Sequence, residues 1–353
     1  MSDHTPVNVS VSANEGGVDR KVFAAGLWMT DDVGGGFPTL RQYESPSEIQ
    51  ADTDVNVATR DLLVDYAFAQ RNRGGLSKIA VGKINYAGTI SDEVAGLVAA
   101  ESSTGIQWYG AAASSVVQAD IEDLAAALEA YEKLGVWLTG DAAVLAGTGG
   151  NVAEVLATAA YGRSALLYHA DTSERAALAW MCKKLGKDPD TGKTSWRHCE
   201  LTGIASDSDT VDGTEKTTAQ SDNANLYLNF QGDPATGDGV LADGNPIDTR
   251  ITRDWIAARL RERVALRLKT ASDLNQDIPY DQDGIDAFYG DFATLLALGE
   301  SLRHFQIGAS SVTKPLIQNI DAATRASRLL TLEGSAVFAG SIEEIAINLA
   351  VQF

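Results

Sequence analysis

Positive charge is scarce in this chain: its 353 residues carry 28 Lys and Arg against 48 Asp and Glu, a net charge of −20. That balance excludes direct binding to nucleic acid or insertion at an anionic membrane, since both need clustered cations to displace counterions. Cysteine is nearly absent. Cys182 and Cys199 allow at most one bridge and no disulfide framework, so a reducing compartment is the simpler assumption. No apolar run is long enough to span a bilayer, and the opening MSDHTPVNVS lacks the basic-then-apolar order of a secretory signal. The expectation is a soluble protein, made in the cytosol, with enough apolar material for two or three domains.

Motifs that carry chemistry are also missing. Gly186 to Thr194 (GKDPDTGKT) has one residue too many between its glycines for a phosphate-binding loop, contains Pro189 and follows a helix, which points to a plain turn. Gly147-Thr148-Gly149-Gly150 lacks dinucleotide-binding spacing. Asp281-Gln282-Asp283-Gly284 opens like a calcium loop, but Phe292 stands where the closing Glu is needed. His169, Cys182, His198 and Cys199 include no CxxC, and no GxSxG elbow occurs. No catalytic residue, metal site or cofactor is assigned. An α/β enzyme survives only as an alternative with a pocket built from distant residues.

What is present is organised around Gly244–Gly308. Ile256, Leu260, Val264 and Leu268 form one apolar stripe of a helix expected over 252–271, with Trp255 and Leu266 on nearly the opposite face. Between them Arg259, Arg263 and Arg267 recur at spacing four as a cationic ridge, neutralised either by the chain's own acids or by a neighbouring molecule. Pro279 interrupts the helical pattern. Asp281 and Asp283 can cap a second helix over 284–306, where Ile285, Phe288, Phe292, Leu295, Leu296, Leu302 and Phe305 line one face.

Along the chain, Val7, Val9 and Val11 alternate with polar residues as in a strand, followed by a hinge at Gly16-Gly17. A strand is expected at 21–29, a capped helix after Ser45-Pro46-Ser47-Glu48, a helix over 55–73 and a strand over 77–86. Helices at 91–100, 119–134, 152–160 and 172–185 then alternate with strands at 106–110, 136–139 and 164–169, which implies an α/β unit with a largely parallel sheet. Asp171 and Glu174 suggest a further capping box, residues 206–218 an exposed loop, and 225–232 a strand. The tail makes two strands, 328–340 and 342–353; in the second, Ile345, Ile347, Leu349 and Val351 alternate strictly beyond Gly340.

From about Arg163 onward the order of segments resembles the sheath proteins of contractile (myovirus-type) bacteriophage tails. The match is carried by Gly192-Lys-Thr-Ser-Trp196, Glu200-Leu-Thr-Gly-Ile204, Asn223-Ala-Asn-Leu-Tyr227, Gly239 to Asp248, Arg253-Asp254-Trp255, Ile278-Pro279-Tyr280 with Asp283-Gly284, and Arg325-Ala-Ser-Arg328 leading to Ala339-Gly340-Ser-Ile342. Asp277 and Glu343 depart from the family pattern, where Lys and His are common. The resemblance implies a mixed α/β and α+β subunit: an N-terminal arm strand (1–20), an outer α/β region (21–162), a sheath-type core (163–323) holding both long helices, and inner-domain strands with a C-terminal arm (324–353). It further implies stacked hexameric rings around a tail tube, joined by arms that add strands to neighbours' sheets. Val7, Val9, Val11, Ile345, Ile347, Leu349 and Val351 would be the arm residues and Gly16, Gly17 and Gly340 the hinges. Expected partners are other copies, tube, baseplate and terminator proteins, in a virion. A non-contractile tube or baseplate component is the alternative.

Overall fold

The short apolar runs Gly26–Thr30, Gly110–Ala113, Leu134–Thr139 and Ser164–Tyr168 are buried along their whole length, as central strands of a covered parallel sheet must be. The computed structural model describes residues 20–340, which fall into two compact units, 20–258 and 259–340.

The first unit is built on an eight-stranded sheet in the order β2-β3-β1-β4-β5-β6-β7-β8. Its strands are β1 (Gly26–Thr30), β2 (Leu40–Tyr43), β3 (Ile79–Lys83), β4 (Gly110–Ala113), β5 (Leu134–Thr139), β6 (Ser164–Tyr168), β7 (Asn225–Phe230) and β8 (Asp233–Thr236). The six central strands run parallel, and β2 and β8 close the two flanks antiparallel. Before β3 come α1 (Pro46–Ala51) and α2 (Val57–Leu62). One face carries α3 (Ile90–Thr104), α4 (Gln118–Leu128), α5 (Ala142–Ala146), α6 (Val152–Thr158) and α8 (Gly213–Ser221), packed over Leu27, Met29, Trp137 and Leu226. The other carries α7 (Ala176–Leu185), almost wholly buried. It lies close because Gly26 and Gly110 leave room for Met181 and Leu185. The division at 162/163 expected from sequence falls inside this one sheet, just before β6.

The second unit contains α9 (Ile247–Asp273) from Arg259 onward, α10 (Gln282–Ser301), β9 (Ser311–Thr313), α11 (Ala322–Ala326) and β10 (Glu333–Ser335). Asp281 caps α10 by accepting from the Gly284 N–H at 3.0 Å. Both long helices differ in extent from the periodicity. The first starts early, at Ile247 behind Pro246; the second stops at Ser301, where Arg303 adopts a left-handed φ of 64° and the N–H of His304 returns to the Gly299 carbonyl at 2.8 Å. The same motif ends α9 at Asn275 and α6 at Ala160.

Other local expectations are corrected. The strand expected at 106–110 is Gly110–Ala113, an alanine run of low strand propensity that nonetheless pairs with β1 and β5, with Gly110 lying against Met181 and Leu185 of α7. The supposed loop 206–218 contains most of α8, held by a complete capping box of Asp212 and Glu215 with Ala219 buried. The helix over 55–73 breaks into α2, a π turn at Leu63–Ala67 and a 3₁₀ turn at Phe68–Arg73. Ser45 caps α1 as expected, but Glu48 accepts from the N–H of Glu44 rather than of Ser45. Of the two residues expected on the opposite face of α9, Trp255 is fully buried and Leu266 is 65% exposed, so that face is covered only near the start of the helix.

Candidate assembly surface

The arm residues Val7, Val9, Val11, Ile345, Ile347, Leu349 and Val351 and the hinges Gly16 and Gly17 lie outside the described residues; Gly340 is the last one inside. It is exposed, its φ is not left-handed and a Cβ there meets open space, so no local geometry demands glycine.

Leading to Gly340, residues 337–339 run beside the end of α10: the Gln306 N–H donates to the Val337 carbonyl at 2.8 Å and the Ala339 N–H to that of His304 at 3.0 Å. Just before them β10 pairs antiparallel with β9, Glu333 opposite Thr313 and Ser335 opposite Ser311. This ribbon is largely exposed, and among the described residues no third strand joins it. Its two outer edges therefore present backbone donors and acceptors to whatever strand arrives. Sequence reasoning missed β9, because three residues give too short an alternation to read.

The arginine ridge has acceptors within its own unit. Arg259 donates to both carboxylate oxygens of Glu262, at 2.7 and 2.8 Å. Arg263 reaches the carbonyl of Asp291 at 3.3 Å, and Arg267 donates through Nη2 to the Asp291 carboxylate at 2.8 Å. Hydrogen bonding to Asp291 pushes the Arg267 pKa up.

Beside the ridge, α9, the 277–280 connector, α10 and residues 328–332 enclose a cleft of about 590 Å³, floored by Val264, Leu268, Ile285, Phe288 and Phe292. Apolar side chains also stand free on this unit: Leu266, Leu274, Ile307 and Leu329 are each at least 60% exposed. Charge separates the units as well. Residues 259–340 hold nine Lys and Arg against ten Asp and Glu, whereas 20–258 hold nineteen against thirty-three.

The start of α9 is locked into the first unit through the residues that carried the family resemblance. Asp254, buried, takes both Arg163 Nη1 (2.8 Å) and Nη2 (3.0 Å) and the hydroxyl of Tyr109 (2.9 Å). Trp255 donates from Nε1 to Asp190 at 2.7 Å, and Lys193 pairs with Asp248 at 3.0 Å. Lys193, which imitated a phosphate-loop lysine in sequence, is thus committed to a buried carboxylate. The glycines Gly147, Gly149 and Gly150 join α5 to α6, helix to helix.

In a doubly wound sheet the usual ligand crevice opens at the carboxyl ends of strands where the winding reverses, here between β1 and β4. Side chains fill that place: the Tyr86 hydroxyl donates to the Met29 carbonyl at 3.1 Å and accepts from Ser114 at 3.3 Å, and Arg175 Nη1 donates to the Ser114 carbonyl at 3.0 Å. At the end of β6, His169 is clamped between Asp207 (Nδ1, 2.8 Å) and Glu174 (Nε2, 2.9 Å). Both ring nitrogens face carboxylates, so both donate and the imidazolium is the favoured form. Burial lowers its pKa, but the hydrogen bonds to Asp207 and Glu174 outweigh that and raise it. The signal for this cluster was present in sequence and misassigned: Glu174 closes no capping box, because its carboxylate is occupied by His169 and the Ala205 N–H. Both cysteines are buried and free. Among the described residues no group of three or more His, Cys, Asp and Glu could hold a metal, and no helix is long and apolar enough to cross a membrane.

No family model and no curated protein matches the chain by sequence. Solved structures do match along its whole length. A chain of the anti-feeding prophage (AFP) baseplate, 6-fold symmetrised, superposes with a TM-score of 0.65 at 12% identity, covering 100% of this chain and 98% of that one. The AFP helical sheath in its contracted state gives 0.63 at 14% identity, with 100% and 98% covered. The PVC sheath complex of an extracellular contractile injection system, also contracted, gives 0.62 at 11% identity, with 100% and 96% covered. Identities this low establish a shared fold and no particular contact. In fold, the chain is similar along its whole length to chains of contractile sheath and baseplate assemblies.

Proposed function

We propose that this chain is the repeating subunit of a contractile sheath, polymerising as stacked hexameric rings around a tube and shortening to drive that tube through an envelope. The observation that carries this reading is the full-length likeness to contracted sheath chains. It is supported by a near-neutral 259–340 unit with free apolar side chains and a two-edged β9–β10 ribbon, and by a strongly acidic 20–258 unit suited to facing solvent. The segments around Val7–Val11 and Ile345–Val351 are the strands lent to neighbours, and the ribbon is their acceptor. A head-to-tail contact of this kind, repeated with a rotation and a rise, builds an open helix. Contraction is the release of a metastable lattice into one with more buried interface. Tube, baseplate and terminator proteins are the remaining partners, in a phage tail or a related injection particle.

Full-length protein should form hollow tubes in negative-stain micrographs. Deleting residues 1–15 or 342–353 should leave a folded subunit that no longer polymerises; normal sheaths from either deletion would refute the arm model. The likeness to AFP baseplate chains favours one second reading, a ring that does not shorten. Polymers of fixed length under contraction-inducing conditions would select it.

A further inference from the structure

We propose that the cleft of the 259–340 unit holds the chain's own C-terminal segment, residues 342–353, before assembly, withholding it from neighbours until a partner displaces it. This rests on the reading of that segment as a lent strand. At about 590 Å³ the cleft is within the range of functional pockets, and its floor is apolar: Val264, Leu268, Ile285, Phe288, Phe292 and Leu332 line it. Two cations at its lining lack carboxylate partners among the described residues. Arg263 has only the Asp291 carbonyl, and Arg328, exposed with a left-handed φ of 59°, makes no ion pair there.

The occupant's chemistry is therefore an apolar strand with acidic residues at one end. The sequence supplies it: Glu343 and Glu344, then Ile345, Ile347, Leu349, Val351 and Phe353 alternating. Distance permits it as well. Ala339 is hydrogen-bonded to His304 just past the end of α10, and Phe288 lies roughly 20 Å back from Ser301 along that helix at about 1.5 Å per residue. The thirteen residues after Gly340 can extend roughly 40 Å at about 3.3 Å each. A tether this short gives an effective concentration on the order of millimolar, far above that of a free neighbour in dilute solution. Docking in cis thus wins in dilute protein, and dense packing against a growing sheath reverses it.

The test uses the full chain carrying Phe288→Cys with one of Ile345→Cys, Ile347→Cys, Leu349→Cys or Val351→Cys, oxidised in dilute solution; the native cysteines are buried. At least one pair should close within a single chain, with a yield constant over a roughly hundredfold dilution. Bridges formed only between chains, or none in any pair, would overturn the proposal. As a control on folding, Arg263→Glu with Arg328→Glu should cut the yield roughly tenfold, and Glu343→Lys with Glu344→Lys should restore it; a yield indifferent to charge reversal also overturns it. If deleting 342–353 blocks polymerisation while no internal bridge forms, the lent-strand reading stands and cis docking falls. If the deletion leaves normal sheaths, both fall together.

Discussion

Replacing Asp254 by Asn tests how α9 is anchored. Asp254 is the carboxylate that pairs with Arg163, and both are largely buried, with side chains 6% and 12% exposed. Tyr109, fully buried, donates to the same carboxylate. The amide keeps the shape but removes the charge and turns an NH₂ toward donors, leaving a desolvated guanidinium without its counter-ion. Removing one member of a buried pair costs about 3–5 kcal/mol. The Tyr109 bond is worth about 1.5–3 kcal/mol but shares the same acceptor, so the two do not add. Taking about 4 kcal/mol, and about 2–4 °C per kcal/mol for a unit of this size, the melting temperature should fall by roughly 8–16 °C. Calorimetry of the subunit gives the number. A double variant, Asp254→Leu with Arg163→Met, removes both charges and should recover most of the loss, because well-packed apolar groups often replace a buried ion pair without cost. A fall under about 2 °C for Asp254→Asn, or a double variant no better than the sum of the singles, would show that the triad is not what holds the helix.

The His169 clamp predicts a pH dependence. Its folded pKa is raised, so its contribution is complete below the ordinary value of about 6.5 and is lost as pH rises through the folded value; the melting-temperature gap between wild type and His169→Gln should be larger at low pH and narrow as pH rises. Gly186→Ala should destabilise by about 1–3 kcal/mol in denaturant titrations, since a Cβ there would run into the backbone of Gly74 and Gly75, which cannot retreat as a side chain would. Arg267→Glu should cost about 1 kcal/mol or less in subunit stability, its side chain being 35% exposed. Polymerisation unchanged after charge reversal at Arg259, Arg263 and Arg267 together would mean that the ridge serves only its own unit.

The strands and helices of 20–258 are legible wherever a short apolar run stands between helical segments, as at Val136–Thr139 and Ser164–Tyr168. Reading failed where a tertiary contact decides the outcome. Gly110–Ala113 is a strand through its pairing with β1 and β5 and its cover on both faces, not because alanine favours one. The ends of α6 and α10 were misplaced because Ala160 and Arg303 adopt the left-handed conformation that sequence alone assigns to glycine. Arg253-Asp254-Trp255 is recognisable as a pattern; its reason, the partners Arg163, Tyr109 and Asp190, lies far away in sequence and is invisible to local spacing. The cleft was equally hidden, since it needs residues 328–332 brought beside α10.

The flanks of the large sheet are short: β2 and β8 have four residues each, and β8 includes Pro234, whose nitrogen carries no hydrogen to donate. A wandering strand finds little purchase there. If the chain polymerises as proposed, this matters more than any single attraction, since a second sticky flank would let the lattice branch. On the proposed strand-lending reading, blunting both sides of the large sheet while leaving the two edges of the β9–β10 ribbon bare confines incoming backbone to that ribbon, and growth in a single line would follow.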